Sequence, residues 1–157
     1  MKSVLISIQP KWCELIASGK KTIEVRKSRP KIDGPFRCYI YMTKGKWYKD
    51  YKNKNHYGYG KVIGEFICDE IINAIDIGGN DFYTKSCMNL EEWLKYTDNH
   101  KGEMWCWHIS DLVIYDKPKE LSEFVVERYP CLTRLKRPPQ SWCYIDHIAE
   151  KGGASDG

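Results

Sequence analysis

Gly19-Lys20-Lys21-Thr22-Ile23-Glu24-Val25-Arg26 runs from the end of one element into the start of another. Gly19 suits a helix C-terminus, where a residue often takes a positive φ. The residues after it alternate. Ile23 and Val25 fall on one face of a strand, and Thr22, Glu24 and Arg26 fall on the other. The first face needs a core. The second carries a carboxylate beside an arginine, with Lys21 just upstream. Two cations around one carboxylate form a compact cluster, which serves either as a ligand site or as a structural salt-bridge network that orients Arg26.

Outward from this segment the elements are short. Val4-Leu5-Ile6-Ser7-Ile8 is a β-branched run of strand length. Gln9-Pro10 ends it, and Pro10 suits the first turn of a helix over Lys11–Ser18, with Trp12, Leu15 and Ile16 at helical spacing. Arg29-Pro30 to Gly34-Pro35 reads as a loop, and Phe36–Thr43 as a strand. Lys61–Ile72 reads as one long strand, with Gly64 a bulge or a close backbone approach. Ile77–Asn80 reads as a turn, and Asn89 as the N-cap of a helix over Leu90–Tyr96 with Glu91 and Glu92 in its first turn. Short strands are expected at Met104–Ile109, Leu112–Tyr115 and Ser141–Ile145, and a short helix at Glu120–Val125 after Pro118. Five to seven strands with two or three short helices make the class α+β: a curved sheet or small barrel with flanking helices. Residues 1–150 read as a single domain and 151–157 as a flexible tail.

Charge is unevenly placed. Residues 1–61 carry 15 Lys/Arg against four acids, a net +11, and residues 62–157 carry 10 against 17, a net −7. A directed positive field of this kind suits a phosphate backbone, and equally describes a lysine-rich solvated surface. Lys44–Gly60 lacks apolar periodicity and reads as a long exposed loop. In it Trp47, Tyr48, Tyr51, Tyr57 and Tyr59 interleave with Lys44, Lys46, Lys49, Lys52 and Lys54. Rings that stack on bases beside cations that meet phosphates have this composition.

The seven cysteines are odd in number and widely spaced, with no CxxC or Cys/His pairing. They read as buried free thiols, with neither a metal site nor a cofactor implied. Met1-Lys2 leads directly into a strand, so no signal peptide is expected, and no apolar run approaches the roughly 20 residues of a membrane span. A cytoplasmic protein, monomeric by preference, is the expectation. His56, His100, His108 and His147 are scattered, and His108, within a strand, is the strongest candidate among them for proton chemistry. Trp105, Trp107 and Trp142 lie on strands and suit core packing.

The segment Gly19–Arg26 also fits the pattern GxKxxExR, preceded by a strand, a proline and a helix ending in glycine. In this the chain resembles the ASCH domain family, which shares the PUA-like β-barrel. Trp105-Cys106-Trp107-His108-Ile109-Ser110-Asp111-Leu112 is similar to a later ASCH strand, and Pro138-Pro139-Gln140-Ser141-Trp142-Cys143-Tyr144 to the ending of small bacterial and phage members. The resemblance spans roughly residues 3–146. It implies a PUA-like small mixed barrel that binds RNA or a modified nucleotide. The site residues would be Lys21, Glu24, Arg26, Tyr41, Lys44, Lys46, Trp47 and Ser141. It also implies a second possibility, a hydrolase. Some small members remove the acetyl group from N-acetylated cytidine with a Lys, a Thr and a Glu. Lys21 matches the lysine, Glu24 stands at the threonine position, and Ser86 stands near the glutamate position. Catalytic roles would then fall to Lys21 and Glu24. RNA cleavage, known in the wider family, would draw on Lys21, Tyr41 and Ser141. A third reading is a protein-interaction module that engages no nucleic acid.

Overall fold

A computed structural model describes residues 2–44, 59–128 and 131–149. The first strand, β1 (Ser3–Ile8), leads into α1 (Pro10–Ala17), β2 (Ile23–Arg26), β3 (Phe36–Met42) and β4 (Val62–Cys68). There follow β5 (Ile71–Asn73), α2 (Gly79–Ser86), α3 (Leu90–Thr97), β6 (Trp105–His108) and β7 (Ser110–Lys119). The chain closes with β8 (Phe124–Arg128), β9 (Cys131–Arg134), β10 (Trp142–Ile145) and β11 (His147–Ile148). Single 3₁₀ turns precede α2 and β8.

The strands form three sheets, ordered β10-β1-β3-β4-β7, β2-β6-β5 and β11-β8-β9. Only β1 and β3 pair in parallel in the large sheet, and the hydrogen bonding among the described residues runs in these three sheets without closing a ring. The class is therefore mixed α+β, with three α-helices among the described residues. No helix among the described residues is long and apolar enough to cross a membrane.

The large sheet is covered on both faces, so β1 and β3 are almost wholly apolar. Val4, Ile6 and Ile8 point with Cys38, Ile40 and Met42 into one cluster, under Cys13 and Ile16 of α1. Leu5 points the other way, with Tyr39, Tyr41, Phe124 and Ile145. Each fully buried Leu, Ile or Phe contributes about 1.5–3 kcal/mol relative to exposure. A third cluster joins Ile23 and Val25 of β2 to Cys106, Phe82, Met88 and Met104. All seven cysteines are free thiols.

Several boundaries differ from the sequence expectation, each for a local reason. The expected long strand at 61–72 is two strands in different sheets, broken at Asp69-Glu70. There Asp69 meets the His108 ring at 2.7 Å, and the Glu70 carbonyl accepts from the His108 N–H. Gly64 does sit at a close approach: a Cβ there would lie 2.4 Å from the Val113 carbonyl oxygen. The pairing of β3 with β4 slips at this point, from Ile40 opposite Gly64 to Tyr41 opposite Val62. Ile63 is thus the extra residue of a bulge. The turn expected at Ile77–Asn80 instead opens helix α2, and the helix expected at Glu120–Val125 is a 3₁₀ turn followed by β8. Phe124 and Val125 are buried there, which favours extended backbone over another helical turn.

Candidate functional site

Helix α1 has Pro10 in its first turn, and Gly19 follows its C-cap at φ +80°. The N–H groups of Lys20 and Lys21 both donate to the Leu15 carbonyl, at 3.1 and 3.0 Å. This closing turn aims Lys21 inward and starts β2. The Thr22 backbone is then held on both sides, its N–H by the Lys85 carbonyl and its carbonyl by the Ile109 N–H. The alternation of β2 sends Ile23 and Val25 into the core and leaves Glu24 and Arg26 on the opposite face.

Lys21, Glu24 and Arg26 meet along one cleft of about 880 Å³. Lys21 is 2% exposed, and its Nζ donates to the Ser86 carbonyl at 2.7 Å. The same Nζ stands 4.0 Å from Glu24 Oε2 and 4.9 Å from the centre of the Trp12 ring. Arg26 Nε lies 3.6 Å from Glu24 Oε1. Its Nη2 donates to the Ser7 carbonyl at 2.7 Å, and its Nη1 to Ser141 Oγ at 3.2 Å. Arg26 therefore ties β2 to the end of β1 and to the approach to β10, while one edge of its guanidinium faces Glu24. Both ion-pair distances exceed a hydrogen bond. Glu24 is compensated in charge, yet its Oε2 accepts no hydrogen bond.

The rest of the wall comes from the two helices. Helix α1 supplies Trp12 and Lys11, and α3 supplies Glu92, Lys95 and Tyr96. The Asn89 side chain accepts from the Glu92 N–H while the Glu92 carboxylate accepts from the Asn89 N–H, a capping box that fixes the start of α3. Glu92 Oε2 also meets Lys11 Nζ at 2.8 Å, joining α1 to α3. Burial works to raise the Glu92 carboxyl, but the Lys11 and Asn89 donors outweigh it and hold the group below its ordinary range. The Tyr96 phenol is pushed up, by burial first and then by the Glu24 charge, against the opposing Arg26, so its hydroxyl stays protonated at neutral pH. Lys27 Nζ lies 4.9 Å above the Tyr96 ring. Burial likewise pushes the nearby Cys106 thiol up to about 11, which leaves it unreactive.

Among the described residues, the others expected at the site are not part of the cleft lining. Tyr41 is buried among Leu5, Val62 and Phe124, on the face of β3 away from α1. Ser141 holds Arg26 from beside the cleft, whose lining includes its neighbour Gln140. Lys44 is exposed, and its carbonyl accepts from the Tyr59 hydroxyl. Lys46 and Trp47 lie outside the described residues. Ser86, at the end of α2, is fully buried and contributes its backbone carbonyl to Lys21. His108 pairs with Asp69 away from the cleft. Trp12 and Tyr96 are the wall residues that the sequence did not single out. The sequence marks Trp12 only as part of a helical face with Leu15 and Ile16, and Tyr96 only as the end of a helix; both pack against the third cluster, which includes Ile23 and Val25 of β2.

An α+β chain with a charged cleft, aromatic on two sides, between a sheet edge and two helices defines the class. The sequence pattern of the ASCH domain matches residues 6–126, and the chain belongs to the ASCH domain family. No protein with a curated description matches it. Among solved structures it is similar to the ASCH protein of Zymomonas mobilis, with 19% identity, a TM-score of 0.58 and coverage of 92% of this chain and 87% of that one. A serine-to-alanine mutant of that protein aligns with a TM-score of 0.64 at 20% identity, covering 92% of this chain and 88% of that one. A tyrosine-to-phenylalanine mutant aligns with a TM-score of 0.59 at 18% identity, covering 93% and 91%. At this identity the likeness concerns the fold.

Proposed function

We propose that this chain, as a PUA-like barrel, binds RNA or a nucleotide. Lys21, Glu24 and Arg26 form the inner site, and the basic, aromatic segment around Lys44, Lys46 and Trp47 forms an outer contact. The observation that carries this reading is the convergence of the charged cluster with Trp12 and Tyr96 on one cleft. Its volume of about 880 Å³ falls within the range of small-molecule sites, roughly 300–1,000 Å³. Lys27 and Lys95 on its walls suit a phosphate, and aromatic rings beside cations suit a base next to its phosphate. Membership of the ASCH family supports the same class of ligand.

The test is equilibrium binding of short single-stranded RNAs and nucleoside monophosphates, titrated against salt. Affinity should fall steeply as salt rises, because phosphate contacts release counterions. Lys27→Ala and Lys95→Ala should each flatten that dependence. Absence of binding at about 50 mM salt, the low end of the usual range, refutes the reading and leaves a protein-interaction module. A second reading, hydrolysis of N-acetylated cytidine or RNA, draws on the buried Lys21–Glu24 pair at 4.0 Å. It requires turnover by the wild-type protein that disappears in a folded Lys21→Ala variant.

A further inference from the structure

We propose that Lys27-Ser28-Arg29-Pro30-Lys31 is a phosphate track, which carries an RNA strand from the cleft along β10. The inference rests on the nucleotide-binding reading above and extends it from one nucleotide to several.

The segment leaves β2 at the cleft and is tied at intervals to β10 and its approach. Arg26 Nη1 donates to Ser141 Oγ, Trp142 Nε1 donates to Ser28 Oγ at 2.9 Å, and the Lys31 N–H donates to the Tyr144 hydroxyl at 2.8 Å. Pro30 is buried, and Ile32 packs against the cluster beneath α1. With Arg26, Ser28, Pro30 and Ile32 engaged by the protein, Lys27, Arg29 and Lys31 are left exposed. Alternate residues lie at most about 7 Å apart. That spacing suits successive phosphates of a drawn-out single strand.

Aromatic rings hold these cations in place. Lys27 Nζ lies 4.9 Å from the centre of the Tyr96 ring, and the Arg29 guanidinium lies 5.0 Å from that of Trp105. At the far end Lys2 Nζ stands 5.2 Å from the Tyr144 ring. A ring positions a cation without cancelling its charge. Among the described residues, none of Lys2, Lys27, Arg29 and Lys31 enters an ion pair.

The carboxylates lie mainly on the cleft side. Glu14, Glu24 and Glu92 share the cleft wall with its cations, and Glu92 is paired with Lys11. The segment beside the cleft carries three positive charges and no acid until Asp33, which closes the run. Asp69 and Arg29 both act on the Cys68 thiol, but Asp69 is engaged by His108 at 2.7 Å. The track is also distinct from the contact around Lys44. Lys44 follows Thr43, which bonds to Ile8 at the end of β1, whereas Tyr144 pairs with Val4 near its start. A single strand fits this path and a duplex does not, because a base in the cleft must leave its stack.

The experiment measures binding of nucleoside monophosphates and of mixed-sequence RNAs of about four and about eight nucleotides, lengths at the low end of single-strand sites. It uses wild-type protein, Arg29→Ala/Lys31→Ala, and Lys117→Ala/Lys119→Ala, which removes the same charge from β7 at the opposite edge of the large sheet. Wild type should bind the longer RNA about tenfold or more tightly than any monophosphate. Each single-strand phosphate contact contributes about 0.7 to the slope of log K against log salt, so Arg29→Ala/Lys31→Ala should flatten the slope for the longer RNA by about 1.4. The β7 variant should keep the wild-type slope. An equal loss in the β7 variant, or an unchanged slope in Arg29→Ala/Lys31→Ala, overturns the track. Monophosphates bound as tightly as the RNAs overturn it too, and leave nucleotide binding intact. A glutamate oligomer bound as tightly as the RNA overturns the assignment to nucleic acid. Failure of every RNA and monophosphate to bind overturns both readings. All four substituted side chains lie on the surface or the sheet edge, and thermal melts verify folding; should a variant not fold, the wild-type dependence on RNA length decides.

Discussion

Replacing Lys21 by Met keeps the length and apolar stem of the side chain and removes its charge. The site is almost fully buried, so water does not compensate. Two losses follow. The Ser86 carbonyl loses a charge-assisted hydrogen bond of 2.7 Å, a contribution of roughly 1.5–3 kcal/mol. Glu24 keeps only Arg26, at 3.6 Å, as a compensating charge. Removing one partner of a fully buried ion pair costs about 3–5 kcal/mol, which sets the upper bound here because Arg26 remains. A destabilisation of about 3 kcal/mol is expected, or a fall in Tm of roughly 6–12 °C for a chain of this size. Urea unfolding with an unchanged m-value measures it. Adding Glu24→Gln to Lys21→Met should recover at least ~1 kcal/mol, because the uncompensated charge is gone. A loss below ~1 kcal/mol for Lys21→Met, or strict additivity in the double variant, would refute the description of Lys21 as the buried partner of Glu24.

Two further outcomes test the fold and the helix pair. Gly64→Ala places a Cβ 2.4 Å from the Val113 carbonyl oxygen, so β4 and β7 must part. A destabilisation of about 1–3 kcal/mol is expected by chemical denaturation, and an unchanged midpoint would show that the bulge accepts a methyl group. Glu92 is held below its ordinary value of 4.5, so its contribution is present above that pH and lost as pH falls through the lower folded value. Thermal melts between pH 6 and pH 3, as a rough bracket of that range, should therefore lose less stability in Glu92→Gln than in wild type. Identical acid slopes would contradict the Lys11 and Asn89 contacts.

The sequence carried the charged face of β2 well, because strict alternation over four residues leaves little freedom in where Glu24 and Arg26 point. It also carried the start of α3, since Asn89 and Glu92 form a local capping box that needs no tertiary partner. Tyr41 could not be placed in the same way. Strand β3 is apolar on both faces, so alternation distinguishes two sides without saying which one meets α1. Helix α2 was hidden because its Gly78-Gly79 start has the composition of a turn, and its burial depends on Phe82 reaching a core built by distant residues. The break at Asp69-Glu70 depends on His108, 39 residues further along the chain. Trp12 belongs to the same category: its spacing with Leu15 and Ile16 announces a packed face and leaves its partner unspecified.

Trp12 packs against two of the three core clusters while forming part of the cleft wall. Lys11 and Lys21 both hold their ammonium groups near its ring, at 4.5 and 4.9 Å from the centre. Indole emission responds to nearby charge and to solvent, so this residue is a built-in optical reporter. One spectrum can follow occupancy of the cleft, and the same signal, tracked with temperature, follows separation of the two clusters. Subtracting the trace of a Trp12→Phe variant isolates it from the other tryptophans.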